Sequence, residues 1–210
     1  MRRLLHLCLE MSERAYLDTS CYTISQASGC RVVIQPLGDS FVIAFAGSES
    51  STDWLMNSIV KRASFHGCAV HCGFLIQYNS VRHQIMAYLG SMRPQSIICS
   101  GHSLGGALAT LCALDLALLG HNTICVTFGS PRVGCDRFAK QFATKVQSST
   151  RVAHWMDPVT YVPMRFTHVP GQRVALHTCT LRTHALQSYY ACLHNEPCPK
   201  TIGQLETSSV

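Results

Sequence analysis

The segment "ICSGHSLGGALA" places Ser103 between Gly101 and Gly105, at a spacing typical of nucleophilic serines. A short apolar run precedes it and a long apolar run follows it, so the serine lies at a predicted strand-to-helix junction. Glycines permit a sharp turn there, because they remove Cβ atoms that would clash. The helix N-terminus would then offer N–H groups to an oxyanion. The context predicts a nucleophile, with a glycine-rich structural turn as the alternative.

A serine hydroxyl needs a general base and an orienting carboxylate. Asp157 follows a predicted strand and precedes a proline, at the strand end where open α/β sheets place their sites. A simple Asp-Pro turn is the alternative at that position. His184 begins the last predicted helix after a polar turn and is the leading base. On the residues alone, His168 and His177 remain open.

Apolar strands alternate with helices in the elements that must position these side chains. Strands are predicted at "RVVIQP", "SFVIAFAG", "SIICS", "TICVTFGSP", "TRVAHWM" and "QRVALHT". Helices are predicted at the amphipathic N-terminus and at "GFLIQYNSVRHQIMAYLG" (which ends at Gly90), "LGGALATLCALDLALL", "CDRFAKQFATKV" and "THALQSYYACL". This alternation predicts a mostly parallel α/β sheet with helices on both faces.

The composition fits one globular domain over residues 1–210, with 47% apolar and 13% charged residues. The net charge is +6, which favours anionic surfaces such as phospholipid. The basic residues are scattered, so the chain lacks the basic stripe of a nucleic-acid-binding protein. It also lacks the run of about 18 apolar residues that a transmembrane helix needs.

Twelve cysteines occur without a CxxC pair, which argues against a structural zinc site. Several of them lie inside apolar runs, where a thiol packs as a small hydrophobe. Reduced thiols are therefore the favoured interpretation, while the disulfides Cys21–Cys30 and Cys192–Cys198 stay open.

The N-terminal segment begins with paired arginines and a short apolar stretch, as signal peptides do. His6 and Glu10 interrupt that stretch, and its apolar residues recur at helical spacing. We therefore expect a helix of the fold and a cytoplasmic or membrane-peripheral location, with secretion left open.

Seven segments in order carry the motifs of one known family. They are "FAGSESSTDWLMN", "VHCGFLIQY", "GHSLGGALA", "TFGSPRVGC", "VAHWMDPVTYVP", "THVPGQRVAL" and "THALQSYYACL". Together, from about residue 14 to residue 193, they resemble the class 3 lipases, the fungal-type triacylglycerol lipases. The resemblance implies a compact α/β-hydrolase fold.

The resemblance also implies roles for individual residues. Ser103 falls on the family's nucleophile, Asp157 on its acid and His184 on its base. Ser48 and Leu104 fall on the residues whose backbone N–H groups form the oxyanion hole.

The family's lid corresponds to residues 51–60, whose apolar face includes Trp54, Leu55 and Met56. Such a segment would cover the site in water and lie on lipid when open. The alternative is that these side chains belong to the core. Ala46 departs from the family's usual arginine, and Cys135 departs from its asparagine.

The implied activity is hydrolysis of carboxylic esters of lipids through an acyl-enzyme, as in an acylglycerol lipase or a phospholipase A1. The reaction needs no metal or organic cofactor. The implied partner is a lipid ester at a membrane or lipid-droplet interface, and not nucleic acid. One alternative is an esterase acting on small soluble or feruloyl-type esters. Another is an inactive lipid-binding or interaction module.

Overall fold

The computed structural model describes residues 1–17, 22–25, 30–47, 61–90, 92, 94–177 and 183–195. The helices are α1 (Arg2–Leu17), α2 (Cys72–Leu89), α3 (Leu104–Leu118), α4 (Asp136–Lys145), α5 (Leu186–Asn195) and a 3₁₀ helix (Pro158–Tyr161). The strands are β1 (Tyr22–Ser25), β2 (Arg31–Leu37), β3 (Ser40–Phe45), β4 (Arg62–Phe65), β5 (Cys68–His71), β6 (Ser96–His102), β7 (Thr123–Phe128), β8 (Ser148–His154) and β9 (Gln172–Leu176).

The main sheet has the strand order β1-β2-β3-β6-β7-β8-β9. β1, β2 and β3 pair antiparallel, and the strands from β3 to β9 in this order pair parallel. Because the parallel strands point the same way, their carboxyl ends meet at one edge, where sites of open α/β sheets lie. The segments that follow β3, β6, β7 and β8 therefore start side by side.

Two apolar cores lie on opposite faces of this sheet. Along β3, Ile43 and Phe45 face the core that α2, α3 and α4 cover. Val42 and Ala44 face the other core, which α1 and α5 cover. Successive side chains of a strand point to opposite faces, so a strand buried on both faces is apolar at most positions.

Helix α3 is buried continuously from Leu104 to Leu116, because it packs between the sheet and its neighbouring helices. This explains the nearly uniform apolar character that the sequence shows there. Helix α2 ends at Leu89 with Gly90 as its C-cap, as predicted. Gly90 has a right-handed backbone with φ of −56°, so the position does not require glycine.

The predicted strands and helices are confirmed, as is the mostly parallel sheet with helices on both faces. The last helix begins at Leu186, however, so His184 lies in the turn before it and not in the helix. The N-terminal helix α1 packs on the sheet with its apolar side. The structure adds β1, the antiparallel hairpin of β4 and β5, and the 3₁₀ helix, none of which the sequence patterns indicated.

The cysteines of the sheet and of α3 pack as apolar side chains. Cys99, Cys112 and Cys125 are buried, and burial raises the pKa of the Cys125 thiol to about 12. The free thiols include Cys8, Cys68, Cys72, Cys99, Cys112, Cys125 and Cys135. Cys21 and Cys198 lie outside the described residues, so both disulfide alternatives stay open.

Candidate active site

Ser103 lies at the junction of β6 and α3, where its φ is +58° and its ψ is −126°. This is a conformation that non-glycine residues rarely adopt. The flanking glycines make room for the turn. A Cβ atom on Gly101 would lie 2.3 Å from the carbonyl group of Gly105, and one on Gly105 would lie 2.2 Å from the carbonyl oxygen of Phe45. The glycines are therefore required by close packing of strand against helix.

Three of the predicted site residues form one hydrogen-bonded chain. His184 Nε2 lies 2.8 Å from Ser103 Oγ. On the other side of the ring, His184 Nδ1 lies 2.8 Å and 3.0 Å from the two carboxylate oxygens of Asp157. Since the carboxylate accepts from Nδ1–H, Nε2 is left as an acceptor for the serine proton. This is the arrangement that activates a serine hydroxyl.

Asp157 is fully buried and is held by two further donors. Its Oδ1 accepts from the N–H of Val159 at 3.0 Å, which also caps the 3₁₀ helix. Its Oδ2 accepts from the hydroxyl of Tyr189 at 2.8 Å. Burial, the Asp157 charge and the bond to Asp157 raise the pKa of Tyr189 well above its ordinary value, so the phenol keeps its proton. The carboxylate is thus fixed in position while it accepts from His184.

His102, which sequence reasoning did not single out, connects His184 to the elbow, the strand-to-helix turn from Gly101 to Gly105 that carries Ser103. Its Nε2 donates to the backbone carbonyl of His184 at 2.8 Å, and its Nδ1 accepts from the Tyr16 hydroxyl at 3.1 Å. Burial and the neighbouring His184 lower the pKa of His102 to about 3, so its ring is neutral at physiological pH. A neutral ring is needed for both bonds, because Nδ1 of a protonated ring would no longer accept.

Sequence reasoning also missed Tyr189, whose hydroxyl reaches Asp157 from α5. The sequence could have indicated that such a residue has a polar contact, because a buried tyrosine needs a partner for its hydroxyl. The spacing along α5 does not say which partner that is. For His102, the signal was a polar residue beside the serine in an otherwise apolar segment.

The oxyanion-hole prediction is only partly within the described residues. Leu104 is the first residue of α3, where backbone N–H groups lack partners within the helix. Ser48 lies outside the described residues, as do Trp54, Leu55 and Met56 of the predicted lid.

The other candidate bases lie elsewhere. His168 Nε2 donates to the carbonyl of Thr160 at 2.7 Å. His177 follows β9, is exposed, and has its ring 6.3 Å from that of Trp155. Of the histidines left open by the sequence, only His184 contacts Ser103 among the described contacts.

Family comparison agrees with this geometry. The sequence model of the family described as Lipase (class 3) matches residues 42–167, which is more than half of the chain. The chain belongs to the class 3 lipase family.

Two lipases and a phospholipase A1 match over much of this chain. The secreted mono- and diacylglycerol lipase 1 of Fusarium solani is 32% identical, over 64% of this chain and 43% of its own. The lipase of Rhizomucor miehei is 34% identical, over 60% of this chain and 39% of its own. The phospholipase A1 EG1, chloroplastic/mitochondrial, of Oryza sativa subsp. indica is 30% identical, over 70% of this chain and 40% of its own. The chain thus spans less than half the length of these relatives.

Solved structures of triacylglycerol lipases share the fold. The Rhizomucor miehei triacylglyceride lipase superposes with a TM-score of 0.72, at 25% identity over 83% of this chain and 79% of its own. A triacylglycerol lipase described as having a serine protease triad at its catalytic centre gives a TM-score of 0.73, with the same identity and coverage. The expected α/β-hydrolase fold is confirmed.

The predicted location is supported only in part. Among the residues that the structure describes, no helix is long and apolar enough to cross a membrane. The Fusarium solani relative is named as secreted, so these relatives give no support to a cytoplasmic location.

Proposed function

We propose that this chain is a serine hydrolase that cleaves carboxylic esters of lipids through an acyl-enzyme. The observation that carries the proposal is the continuous chain of hydrogen bonds from Ser103 through His184 to the buried Asp157. Membership of the class 3 lipase family supports the same chemistry. A module that only bound lipid would have no chemical need for all three groups in this geometry.

In the acylation step, Ser103 Oγ attacks the ester carbonyl while His184 Nε2 takes the hydroxyl proton. His184 then gives that proton to the departing alcohol, and the same base activates a water that hydrolyses the acyl-enzyme. Asp157 holds the ring in the required tautomer and stabilises its protonated form. Replacing it by asparagine should lower kcat by about 10⁴, because the tautomer would be wrong.

The oxyanion would accept hydrogen bonds from the backbone N–H groups of Leu104 and Ser48. The position of Gly47 supports a contribution from the loop that follows β3. A Cβ atom on Gly47 would lie 2.9 Å from the carbonyl oxygen of His102, so this backbone packs directly against the elbow. Loss of one such donor should raise the barrier by roughly 3–4 kcal/mol.

The proposed substrates are acylglycerols and the acyl esters of phospholipids. Relatives of this chain include a mono- and diacylglycerol lipase and a phospholipase A1. The net charge of +6 favours adsorption to anionic lipid surfaces. Residues 51–60, with Trp54, Leu55 and Met56, are proposed as the segment that meets the lipid.

The first experiment is labelling of the purified chain with a fluorophosphonate probe, beside the Ser103→Ala variant. We expect labelling of the unmutated protein only, because the probe reacts with an activated serine. Circular dichroism of both proteins serves as the folding control. An unlabelled wild-type protein with a native spectrum would disprove the hydrolase.

Substrate class is then measured as ester hydrolysis on tributyrin emulsions, phosphatidylcholine vesicles and a soluble short-chain ester. Turnover of the lipid substrates above the soluble ester is the expected result. Turnover of the soluble ester alone would instead assign the small-ester esterase.

A further inference from the structure

A second site borders the 3₁₀ helix that begins directly after Asp157. It is a cavity of about 120 Å³, lined in part by Arg132, Arg151 and Arg173. Thr160 of the 3₁₀ helix and His168 also line it. Three arginines thus line one small cavity beside, but not within, the hydrogen-bonded chain of Ser103, His184 and Asp157.

These arginines have no carboxylate partner among the described residues. The ion pairs of the described residues involve other side chains. The Nε atom of Arg151 is shielded from solvent and has no hydrogen-bond partner among the described residues. Within the part of the chain that the structure describes, the Arg132 side chain donates only to the carbonyl of Phe166, at 3.5 Å. A buried cationic donor without a partner is costly, so it is normally satisfied by an ion or a ligand.

The electrostatics of the cavity are strongly positive. Burial, together with the charges of Arg173 and Arg132, lowers the pKa of Arg151 to about 10. Burial and the charge of Arg151 lower the pKa of His168 to about 3, so that ring is neutral. The positive charge therefore comes from the three guanidinium groups, which repel one another until a counter-ion lies between them.

We propose that this cavity is a binding site for a phosphoryl dianion, carried either by a lipid phosphomonoester head group or by free phosphate. Guanidinium groups match the geometry of phosphate oxygens with paired N–H donors. Two negative charges balance three clustered cations better than one carboxylate does. A volume of about 120 Å³ accommodates several waters and hence a phosphoryl group, but not an acyl chain.

One opening of the cavity could admit either carrier of the anion. Arg173 is exposed, so the cavity opens to solvent at this residue. A lipid head group would enter from there, with its acyl chains outside. Free phosphate would enter by the same opening. The site does not depend on the proposed ester hydrolysis, because none of its arginines contacts Ser103, His184 or Asp157 in the described hydrogen bonds.

The test is calorimetric titration of the full chain with inorganic phosphate, at constant ionic strength set with chloride. We expect saturable binding that Arg151→Gln weakens by about tenfold or more, as loss of a charged hydrogen-bond donor implies. Arg173→Gln, at the exposed rim, should weaken it in the same direction and does not disturb buried packing. Arg165→Gln is the matched control, because this exposed arginine does not line the cavity.

The two sources are distinguished by co-sedimentation with phosphatidylcholine vesicles, with and without phosphatidic acid. Binding that needs both phosphatidic acid and Arg151 assigns the lipid head group, and saturable binding of inorganic phosphate alone assigns the free anion. Absence of both kinds of binding overturns the proposal. Binding that Arg165→Gln weakens as much as Arg151→Gln also overturns it, because the attraction would then be general surface charge.

Discussion

Replacing His102 by glutamine should make the stability of this protein less sensitive to acid. The ring of His102 titrates at about 3 in the folded chain, against 6.5 for an ordinary histidine. Between pH 6.5 and about 3, the unfolded chain therefore carries a proton on this ring that the folded chain does not carry. Stability from the neutral ring is fully present above pH 6.5 and is lost as the pH falls towards 3.

The size of the effect follows from the same two pKa values. At pH 5 the ring in the unfolded chain lies 1.5 pH units below its pKa of 6.5, while the ring in the folded chain is still neutral. One unit corresponds to about 1.4 kcal/mol, so lowering the pH from 7 to 5 should cost about 2 kcal/mol through His102 alone. Glutamine has no such titration, yet it can donate to the carbonyl of His184 and accept from Tyr16.

The assay is urea unfolding at pH 7 and pH 5, with the free energy of unfolding extrapolated to water. We expect the wild-type protein to lose about 2 kcal/mol more than His102→Gln over this interval. His83→Gln, which changes an exposed histidine of α2, should lose as much as the wild type. Equal losses in wild type and His102→Gln would refute the assignment of a buried neutral ring.

Three other substitutions test single contacts. Tyr189→Phe removes the hydroxyl that donates to Asp157 at 2.8 Å, and kcat on tributyrin should fall about tenfold, as expected for a hydrogen bond to a charged group. Gly101→Ala places a Cβ atom 2.3 Å from Gly105, so the free energy of unfolding in urea should fall by about 1–3 kcal/mol. Asp115→Asn breaks the ion pair of a buried carboxylate with Arg82, and the same measurement at pH 7 should show a loss of about 1–3 kcal/mol.

The glycine substitution has a matched control, and the other two are compared with the wild type. Gly90→Ala should change stability little, because Gly90 has ordinary helical backbone angles. An equal loss in the two glycine variants would contradict the packing argument for the elbow. A kcat of Tyr189→Phe equal to that of wild type would show that the phenol does not position the carboxylate.

The loss of stability caused by Asp115→Asn should become smaller as the pH falls. Burial opposes ionisation of this carboxyl, but hydrogen bonds from Arg82, Tyr78 and His66 outweigh it, so its pKa is lowered from 3.8. Its contribution is present above pH 3.8 and is lost as the pH falls below that value. The difference between Asp115→Asn and wild type should therefore shrink at pH 3, and a constant difference would contradict the ion-pair explanation.

Much of the fold was predictable because the strands and α3 are buried on both sides. β3, β6 and β7 are short, mostly apolar and almost wholly buried, as is typical of strands in a sheet covered by helices. The hairpin of β4 and β5 was not predicted, since its exposed strand β4 carries polar residues such as Arg62 and Ser64. Its pairing depends on packing against α2 and α4.

For the site, the sequence was most informative where chain order itself constrains position. Ser103 follows from its glycines, and Asp157 from its place after β8. His184 could not be separated from His177 by spacing, because β9 and the turn after it decide which ring reaches the serine. The single domain over residues 1–210, the role of Ser48 and the lid at residues 51–60 stay predictions.

The arginine cavity shows a different limit of sequence reasoning. Arg132, Arg151 and Arg173 lie about twenty positions apart and look like scattered surface charges in the sequence. Parallel pairing of β8 with β9 places Arg151 opposite Arg173, and the segment after β7 brings Arg132 beside them. Clusters of this kind arise from strand register, which composition does not encode.

The left-handed backbone of Ser103 sets thermostability against the proposed activity. A serine with φ of +58° carries backbone strain of about 1–3 kcal/mol, which glycine would relieve. The added chain entropy of a glycine offsets at most about 1 kcal/mol of that gain. Ser103→Gly should therefore be as stable as wild type or more so, and yet hold no nucleophile. Directed evolution of this chain for heat resistance alone would favour replacement of Ser103 by glycine, unless turnover is selected at every round.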